Sequence, residues 1–391
     1  MFKNRHILLY LLINFLMDVG MNIIGPVYIL FVLKYIDASL ILIPNLAFHT
    51  VKTLAEYPTG FLADKYGKKW STLIGLIGMS LSFAIYGFGT NLAVFVIAEI
   101  VGALALSFVS GALVQWLLEK TNSVVATTKV QTLSTIIGKV GSIAIVALLG
   151  VFYIPNLAIY FFFAGLFLFA SFVATLFIEK DRVQWHHKST LLAVKSHWSE
   201  FRSNASLMRM TIYESLRYTV EGAGIFMFWS VFFTQIKGMS ISEMFFVSSL
   251  IQVGLMAGNF VAFKSGLSKK VSYTKLLGLK GVVLLLMLFF PSWYSVGFLV
   301  IYEFMESVMR VKYNDFLNHT VKNSADASSM RSLSLFVSGL GKSIGMATMG
   351  IIASWFGVNG LWAFAAIVLI LLALSRVKGL PHFIRNNRFR V

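Results

Sequence analysis

The sequence has no cysteine and few charged residues. None of its 391 residues is Cys, only six are Pro, and 13% are Asp, Glu, Lys or Arg, whereas 58% are hydrophobic. Without cysteine the chain can form neither a disulfide nor a thiolate metal site, and it has no thiol nucleophile. Because a soluble protein of this length needs a polar surface, the scarcity of charge indicates a chain embedded in a membrane.

Sequence motifs of common enzymes are missing as well. There is no Walker loop, no HExxH motif and no Ser–His–Asp set in a polar setting. The adjacent His186 and His187 would point to different sides of a helix, so they do not suggest a metal site. We therefore expect a protein that is not an enzyme and that needs no metal or organic cofactor.

Acidic residues are scarce relative to basic ones, 16 against 33, which gives a formal net charge of +17. Such a charge can indicate nucleic-acid binding, so its distribution along the chain decides whether nucleic acid or the membrane accounts for it. If both termini are inside, the basic residues collect in the cytoplasmic loops and tail, and the external loops hold only Lys34 and Lys237. This asymmetry follows the positive-inside rule. It predicts a multi-pass protein of the plasma membrane with cytoplasmic termini, in contact with the lipid bilayer and without a nucleic-acid partner.

Twelve apolar runs approach the length of about 20 residues that a helix needs to cross a bilayer. Numbered as spans 1 to 12, they lie at 7–33, 39–62, 71–88, 92–117, 128–151, 156–178, 210–235, 241–263, 274–291, 293–317, 330–355 and 358–375. Span 1 is too long for a cleaved signal peptide and contains Asp18. The sequence predicts an all-α membrane protein with an N-terminal six-helix bundle at 1–178, a cytoplasmic linker at 179–209 and a C-terminal six-helix bundle with a basic tail at 210–391.

The loop between spans 2 and 3 reads Gly60-Phe-Leu-Ala-Asp64-Lys-Tyr-Gly67-Lys-Lys69. A loop that only fixes orientation needs the lysines, but neither the Asp nor the glycines. The run resembles the loop motif of the major facilitator superfamily, G-x-L-A-D-[RK]-x-G-[RK]-[RK], at every position. The resemblance implies a transporter with alternating access, two pseudo-symmetric six-helix bundles and a conformational latch at Asp64. The residues assigned to this motif are Gly60, Asp64, Lys65, Gly67, Lys68 and Lys69.

The two halves of the sequence are related by a duplication. A shift of 203 residues places Asp18 on Glu221, and a shift of 204 places Glu99 on Glu303. A nearly constant offset along most of the chain indicates two copies of one six-helix unit. Inverted and parallel repeats of this kind hold the substrate site of facilitator transporters near the middle of the membrane.

Ionisable and amide side chains inside the spans are costly, so each is a candidate for function. In the family that the loop resembles, spans 1, 4, 7 and 10 form the cavity and spans 2, 5, 8 and 11 flank it. The candidate cavity residues on these spans are Asn14, Asn22, Glu99, Lys139, Arg217, Glu221, Glu303 and Lys342. Glu99–Lys139 and Glu303–Lys342 could also pair with each other. Lys280 in span 9 lies outside this set, and we expect its long side chain to reach the membrane interface.

Four further charged residues are predicted to form salt bridges that act as gates: Glu56, Glu214, Glu306 and Arg310. Their spacing allows pairs within one helix, Glu214 with Arg217 and Glu306 with Arg310. Some of them could instead bridge the two halves and break during transport. Glu56 can pair with Lys52, one turn earlier.

Asp18 is predicted to carry the coupling proton. Its same-face neighbours are Asn14 and Asn22, and its span has no basic residue before Lys34. Poor solvation there disfavours a charged carboxylate, so a proton can bind. Glu221 has Arg217 one turn away and is predicted to be a substrate or gating residue. Protons are thus the expected coupling ion.

The run Glu56-Tyr-Pro-Thr-Gly60 is similar to what drug-exporter-like members of the superfamily carry before the loop. The helix-4 Arg of the family is absent, and span 5 lacks the Gly-Pro pair of antiporters. We predict a proton-coupled exporter of small amphipathic molecules, cationic or zwitterionic, that works as a monomer. One alternative is proton-coupled uptake of an anionic or zwitterionic nutrient, with Lys139 and Lys342 as counter-charges. A second alternative is a transport-inactive sensor or partner-binding protein.

Overall fold

The computed structural model describes residues 4–37, 40–109, 112–179, 198–199, 201–265, 271–321 and 327–375. Over these residues the chain is helical and contains no strand. Each of the twelve predicted spans lies on a helix within the described ranges. Seven helical stretches are long and apolar enough to cross a membrane by length and composition.

Spans 1 to 6 form the first set of helices. Their bounds are α1 Arg5–Ile23, α2 Tyr28–Val32, α3 Leu42–Tyr66, α4 Lys68–Gly87, α5 Leu92–Val109, α6 Ala112–Thr121, α7 Val124–Val151 and α8 Ala158–Leu176. Span 1 is made of two helices, α1 and α2, whereas α5 and α6 of span 4 lie on either side of residues 110–111, which are outside the described ranges. Asn4 and Ser123 cap α1 and α7, because their side-chain oxygens accept hydrogen bonds from the backbone N–H groups of His6 and Ala126.

Spans 7 to 12 form the second set. Their bounds are α9 Ala205–Val220, α10 Phe226–Val231, α11 Ile241–Ser265, α12 Tyr273–Phe289, α13 Ser292–Val321 and α14 Ala327–Leu374. π-Helical turns at Glu221–Ile225 and Phe232–Ile236 flank α10, and α14 is broken at Gly357 into the helices of spans 11 and 12. π-Helical turns occur mostly at functional positions, and the first of these begins at a candidate cavity residue.

The contacts divide the chain into two compact units. The first unit contains Met1–His186 and Ser240–Gln252, and the second contains His187–Met239 and Val253–Val391. The N-terminal part of α11 therefore groups with the first unit, although its sequence belongs to the second predicted bundle. The bundle boundaries 1–178 and 210–391 stay a prediction.

Close helix contact in the second unit depends on Gly345. A Cβ atom added there would lie 2.2 Å from the backbone oxygen of Thr219, so α9 and α14 approach backbone to backbone. Small residues make such approaches possible in membranes, where packing rather than the hydrophobic effect holds helices together. The contact fixes α9, which carries Arg217 and leads into Glu221, against its neighbour.

Candidate functional site

Arg217 is the centre of a buried ionic network in the second unit. Its side chain is 1% exposed and contacts three carboxylates. The guanidinium donates to Glu214 Oε2 at 2.9 Å and to Glu306 Oε2 at 2.5 Å, and it also donates to Glu221. The Glu214 contact is the one predicted from spacing in the sequence. Glu306 comes from α13, so the network joins two spans of the unit.

Lys280 completes this network from α12. Its side chain is fully buried, and Nζ lies 2.5 Å from Glu221 Oε1 and 2.7 Å from Glu306 Oε2. The ammonium also lies 4.2 Å from the centroid of the Tyr302 ring. The expectation that Lys280 extends to the membrane interface is therefore wrong. Two carboxylates provide the compensation that water would otherwise give, so the side chain stays in the interior.

Two more charged residues adjoin the network on α13. Arg310 Nη2 lies 3.6 Å from Glu306 Oε1, the pair predicted from their spacing, and the Arg310 side chain is 55% exposed. Glu303 is buried and has no ion pair within 4.0 Å among the described residues. Within the same part of the chain, Glu214 Oε1 and the Tyr302 hydroxyl have no hydrogen-bond partner. We call the set of Glu214, Arg217, Glu221, Lys280, Glu303, Glu306 and Arg310 the Arg217 cluster.

The Arg217 cluster holds more acids than bases. Among the described side chains its four glutamates face three basic residues, so full ionisation of these seven groups would leave an excess of one negative charge; the side chain of Lys342 lies outside this count. Charge in a medium of low dielectric constant is stable only when it is compensated. The cluster therefore favours an additional positive charge, which a proton or a cationic group of a solute can supply.

Asp18 and its neighbours lie along α1 in the first unit. Asn14 Nδ2 donates to the Tyr10 backbone oxygen at 2.8 Å, and Asn22 Nδ2 donates to the Asp18 backbone oxygen at 2.6 Å. Asn22 Oδ1 also accepts from Gln252 Nε2 at 2.8 Å. The two asparagines thus bond back along their helix, and their spacing of four places them on the same face as Asp18.

The Asp18 carboxyl packs against α7. A Cβ atom at Gly138 would lie only 2.0 Å from Asp18 Oδ2, so glycine is what lets the carboxyl sit there. Lys139 is the next residue of α7. The base that the sequence left open as a partner of Glu99 thus follows directly on the glycine against which Asp18 packs.

Glu99 instead accepts two hydrogen bonds from tyrosines of the first unit. The hydroxyls of Tyr28 and Tyr86 lie 2.6 and 2.7 Å from Glu99 Oε1. Asn45 Nδ2 donates to the Tyr28 hydroxyl at 2.7 Å. Tyr28, Tyr86 and Asn45 were not predicted from the sequence as site residues. The side chain of Lys342, the possible partner of Glu303, lies outside what the structure describes.

The loop motif joins α3 to α4. Gly67 has φ 102°, a backbone conformation that favours glycine, and it allows α4 to begin immediately at Lys68. Lys68 forms an ion pair with Glu119, and Lys69 Nζ donates to the Ile178 backbone oxygen at 2.6 Å. These contacts tie the lysines of the motif to α6 and to the end of span 6.

The remaining residues of the motif are Lys65, Gly60 and Asp64. Lys65 lies over the ring of its neighbour Tyr66. The surroundings of Gly60 and the side chain of Asp64 lie outside the described part of the structure, so the latch at Asp64 stays a prediction. Glu56, the remaining candidate for a gate, pairs with Lys52 at 2.8 Å, within its own helix.

The described residues form an all-helical fold with buried charges inside apolar spans, which is typical of multi-pass membrane proteins. The sequence profile of the Major Facilitator Superfamily matches residues 10–339. The chain belongs to the Major Facilitator Superfamily, which agrees with the fold class and the family predicted from the loop.

Solved structures and a curated relative agree with this assignment. The nucleoside transporter NupG has a TM-score of 0.78 at 14% identity, over 95% of this chain and 98% of its own. A D-xylose–proton symporter has a TM-score of 0.73 at 12% identity, over 96% of this chain and 97% of its own. At such identities the similarity concerns the fold alone.

The curated relative is an uncharacterized MFS-type transporter, YxaM, of Bacillus subtilis (strain 168). It is 30% identical over 103 residues, and the alignment spans 26% of each chain. The family and the fold together make this protein a secondary transporter that lies in the lipid bilayer and moves small molecules. The drug-exporter-like branch, the substrate and the direction of transport stay predictions.

Proposed function

We propose that this protein is a proton-coupled secondary transporter whose solute is small and cationic or zwitterionic. The observation that carries the proposal is the acid excess of the Arg217 cluster. A cationic group that approaches Glu303 would neutralise this excess. An anionic solute would add to it, which makes uptake of an anionic nutrient the less favourable alternative.

Asp18 is the proposed site of the coupling proton. Its carboxyl packs on Gly138, and Lys139 is the next residue of α7. An ammonium close to a carboxylate favours the ionised form. A movement of α7 that withdraws Lys139 would leave Asp18 poorly solvated and favour proton uptake. Proton binding to Asp18 would therefore depend on the position of α7. Coupling requires such a dependence of proton binding on the conformation of the transporter.

Glu221 is the proposed link to the solute. It shares Arg217 and Lys280 with Glu306, so a competing cation can release either base. The pairs Glu214–Arg217 and Glu306–Arg310 would rearrange with it, as gates. Export, an amphipathic solute, the plasma membrane and a monomeric state belong to the same proposal, and the first two rest on the Glu56-Tyr-Pro-Thr-Gly60 run.

The proposal is tested first with the purified protein. A thermal-shift screen should select cationic or zwitterionic compounds over matched anionic ones. Proteoliposomes should then accumulate a selected compound against its gradient only when a pH gradient is imposed. Stabilisation by anions alone, or equal transport with and without the pH gradient, would refute it, and the sign of the gradient that drives accumulation decides between export and uptake.

Two variants separate the proposed roles of the duplicated acids. Asp18→Asn should abolish accumulation driven by the pH gradient but keep solute exchange. Glu221→Gln should weaken solute binding in the thermal-shift assay. Glu243→Gln, at the start of α11, is the matched control and should behave as wild type. Uphill transport by Asp18→Asn would exclude Asp18 as the proton carrier.

A further inference from the structure

Three oxygen atoms of the first unit form a closed triangle. Glu99 Oε1 lies 2.6 Å from the Tyr28 hydroxyl and 2.7 Å from the Tyr86 hydroxyl, and the two hydroxyls lie 3.0 Å apart. Every edge has hydrogen-bond length. The residues come from α2, α4 and α5, and Asn45 of α3 donates to the Tyr28 hydroxyl from outside the triangle. Each of spans 1 to 4 thus contributes one residue to this small polar site.

The number of protons in this triangle depends on Glu99. When the carboxylate is ionised, only the two phenol protons are present, and both point to Oε1 because each phenol has a single O–H donor. The edge between Tyr28 and Tyr86 is then without a proton. A third proton on Glu99 lets the carboxyl donate to one phenol and lets the phenols bond to each other. The neutral state therefore fills an edge that the ionised state leaves open.

The surroundings of Glu99 offer no other compensation for its charge. The residue is 8% exposed, and no Lys, Arg or His nitrogen lies within 4.0 Å of its carboxyl among the described residues. The titratable groups that face it are Tyr28 and Tyr86. The Tyr86 ring stacks between Phe95 and Phe161, at centroid distances of 5.5 and 5.3 Å. Two aromatic rings thus pack against the Tyr86 side of the triangle.

We infer that Glu99, Tyr28 and Tyr86 form a second proton-binding site, separate from Asp18. Water supplies the proton, which binds to the Glu99 carboxylate and is released from it without any other chemical change. The site binds its proton whether or not a solute is present. Its contribution to coupling rests on the proposed proton-coupled transport. This role differs from the substrate-cavity role predicted for Glu99 from the sequence, because both described hydrogen bonds of the carboxyl go to protein groups.

Infrared difference spectroscopy of the purified protein tests proton binding directly. A protonated carboxyl has a C=O band that a carboxylate lacks, so a pH titration should show a band that disappears in Glu99→Gln. In Tyr86→Phe the same band should be larger at a fixed pH, because a donor to the ionised form is lost. A hydrogen bond to a charged group shifts such an equilibrium roughly tenfold or more.

Two controls make this titration decisive. Tyr160→Phe removes another buried phenol of the first unit, one that accepts from the Ile154 backbone N–H at 2.7 Å, and it should leave the band unchanged. Asp18→Asn should remove a different band and keep that of Glu99. Identical titrations of the wild type and the folded Glu99→Gln variant would overturn the inference, as would a band that Tyr86→Phe does not alter.

Flux measurements then separate this inference from the proposed function. If Glu99 contributes to coupling, Glu99→Gln proteoliposomes should lose the accumulation of solute that a pH gradient drives. If the wild type itself shows no response to the gradient, the proposed function fails, whereas the infrared result for Glu99 stands. Full accumulation by Glu99→Gln would overturn the coupling role of the site.

Discussion

Replacing Lys280 by Met is the most direct test of the Arg217 cluster. Met has a similar length and no charge, so the substitution removes two ion pairs with little change in volume. It leaves Glu221 dependent on Arg217 alone and Glu306 dependent on Arg217 and Arg310. Four glutamates would then face two basic residues, Arg217 and Arg310, which doubles the excess of negative charge to two.

The cost of the substitution follows from the distances and the burial. With an effective dielectric constant of 20, contacts of 2.5 and 2.7 Å each contribute about 6 kcal/mol of gross attraction. Most of this offsets the desolvation of Lys280 and its partners. Removing one partner of such a buried pair costs about 3–5 kcal/mol, because a charge is left without compensation. At about 2–4 °C per kcal/mol for a unit of this size, the melting temperature should fall by roughly 6–20 °C.

Thermal unfolding in detergent, followed by tryptophan fluorescence, measures this effect. Lys52→Met is the matched control, because Lys52 forms a part-exposed i,i+4 pair with Glu56 at 2.8 Å, and such pairs contribute only about 0.3–0.5 kcal/mol. The double variant Lys280→Met with Glu221→Gln should recover part of the loss, since it restores the original charge difference. Lowering the pH should also help Lys280→Met, because protonation of a carboxylate removes the surplus charge. If Lys280→Met unfolds at the wild-type temperature, the cluster is not a structural network.

Three further outcomes are expected. Gly345→Ala should destabilise the protein by about 1–3 kcal/mol in the same unfolding assay. Gly297 on α13 has open space around it, so Gly297→Ala should be neutral or stabilising. Equal effects of the two substitutions would contradict the close contact in the second unit. Because the chain has no native cysteine, single cysteines report topology: Asn156→Cys should react with an impermeant maleimide from outside, and Ser203→Cys only after the membrane is opened. External labelling of position 203 would reject the two-bundle topology. Asp64→Asn should abolish transport but keep solute binding, if the carboxylate latches a helix N-terminus, and wild-type transport would remove the latch.

The helices were predictable because the bilayer imposes a length on apolar runs. Each predicted span lies on a helix, and the largest difference is at the helix start Ala205, where span 7 is predicted to begin at 210 and Asn204 supplies a cap that hydropathy does not detect. Spacing also predicted the contacts of Arg217 with Glu214 and of Arg310 with Glu306, since partners three or four residues apart share a face.

Contacts between spans were not predictable in the same way. Lys280 lies on α12, and its own helix gives no sign that acids from two other helices face it. One signal in the sequence was the duplication. At the offsets of 203 and 201 residues, Lys280 corresponds to Ile77 and Met79, so the lysine has no charged counterpart in the first half. A charge that appears in only one copy of a repeat must be compensated by groups of that copy, and Glu221 and Glu306 do so.

The tyrosines around Glu99 were missed for a different reason. Tyr28 and Tyr86 are amphipathic residues near the ends of apolar runs, where tyrosines commonly anchor a helix at the membrane surface. Position within a run therefore could not distinguish a surface anchor from a hydrogen-bond donor to a buried acid. Only the packing of three spans in the first unit brings the two hydroxyls to one carboxylate oxygen.

The duplicated acids Asp18 and Glu221 show why similar positions can serve different purposes. One turn before Glu221 the second copy has Arg217, whereas one turn before Asp18 the first copy has the uncharged Asn14. Glu221 has one base on its own helix and a second in Lys280, so a shift of a single neighbouring helix leaves it with a partner. Asp18 has no base on its own span before Lys34, and Lys139 belongs to α7. A proton that must bind and leave in each cycle is better served by the second arrangement, and a lasting charge that selects a cation by the first. The proposed assignment of Asp18 to the proton and of Glu221 to the solute rests on this difference of one residue, Asn against Arg.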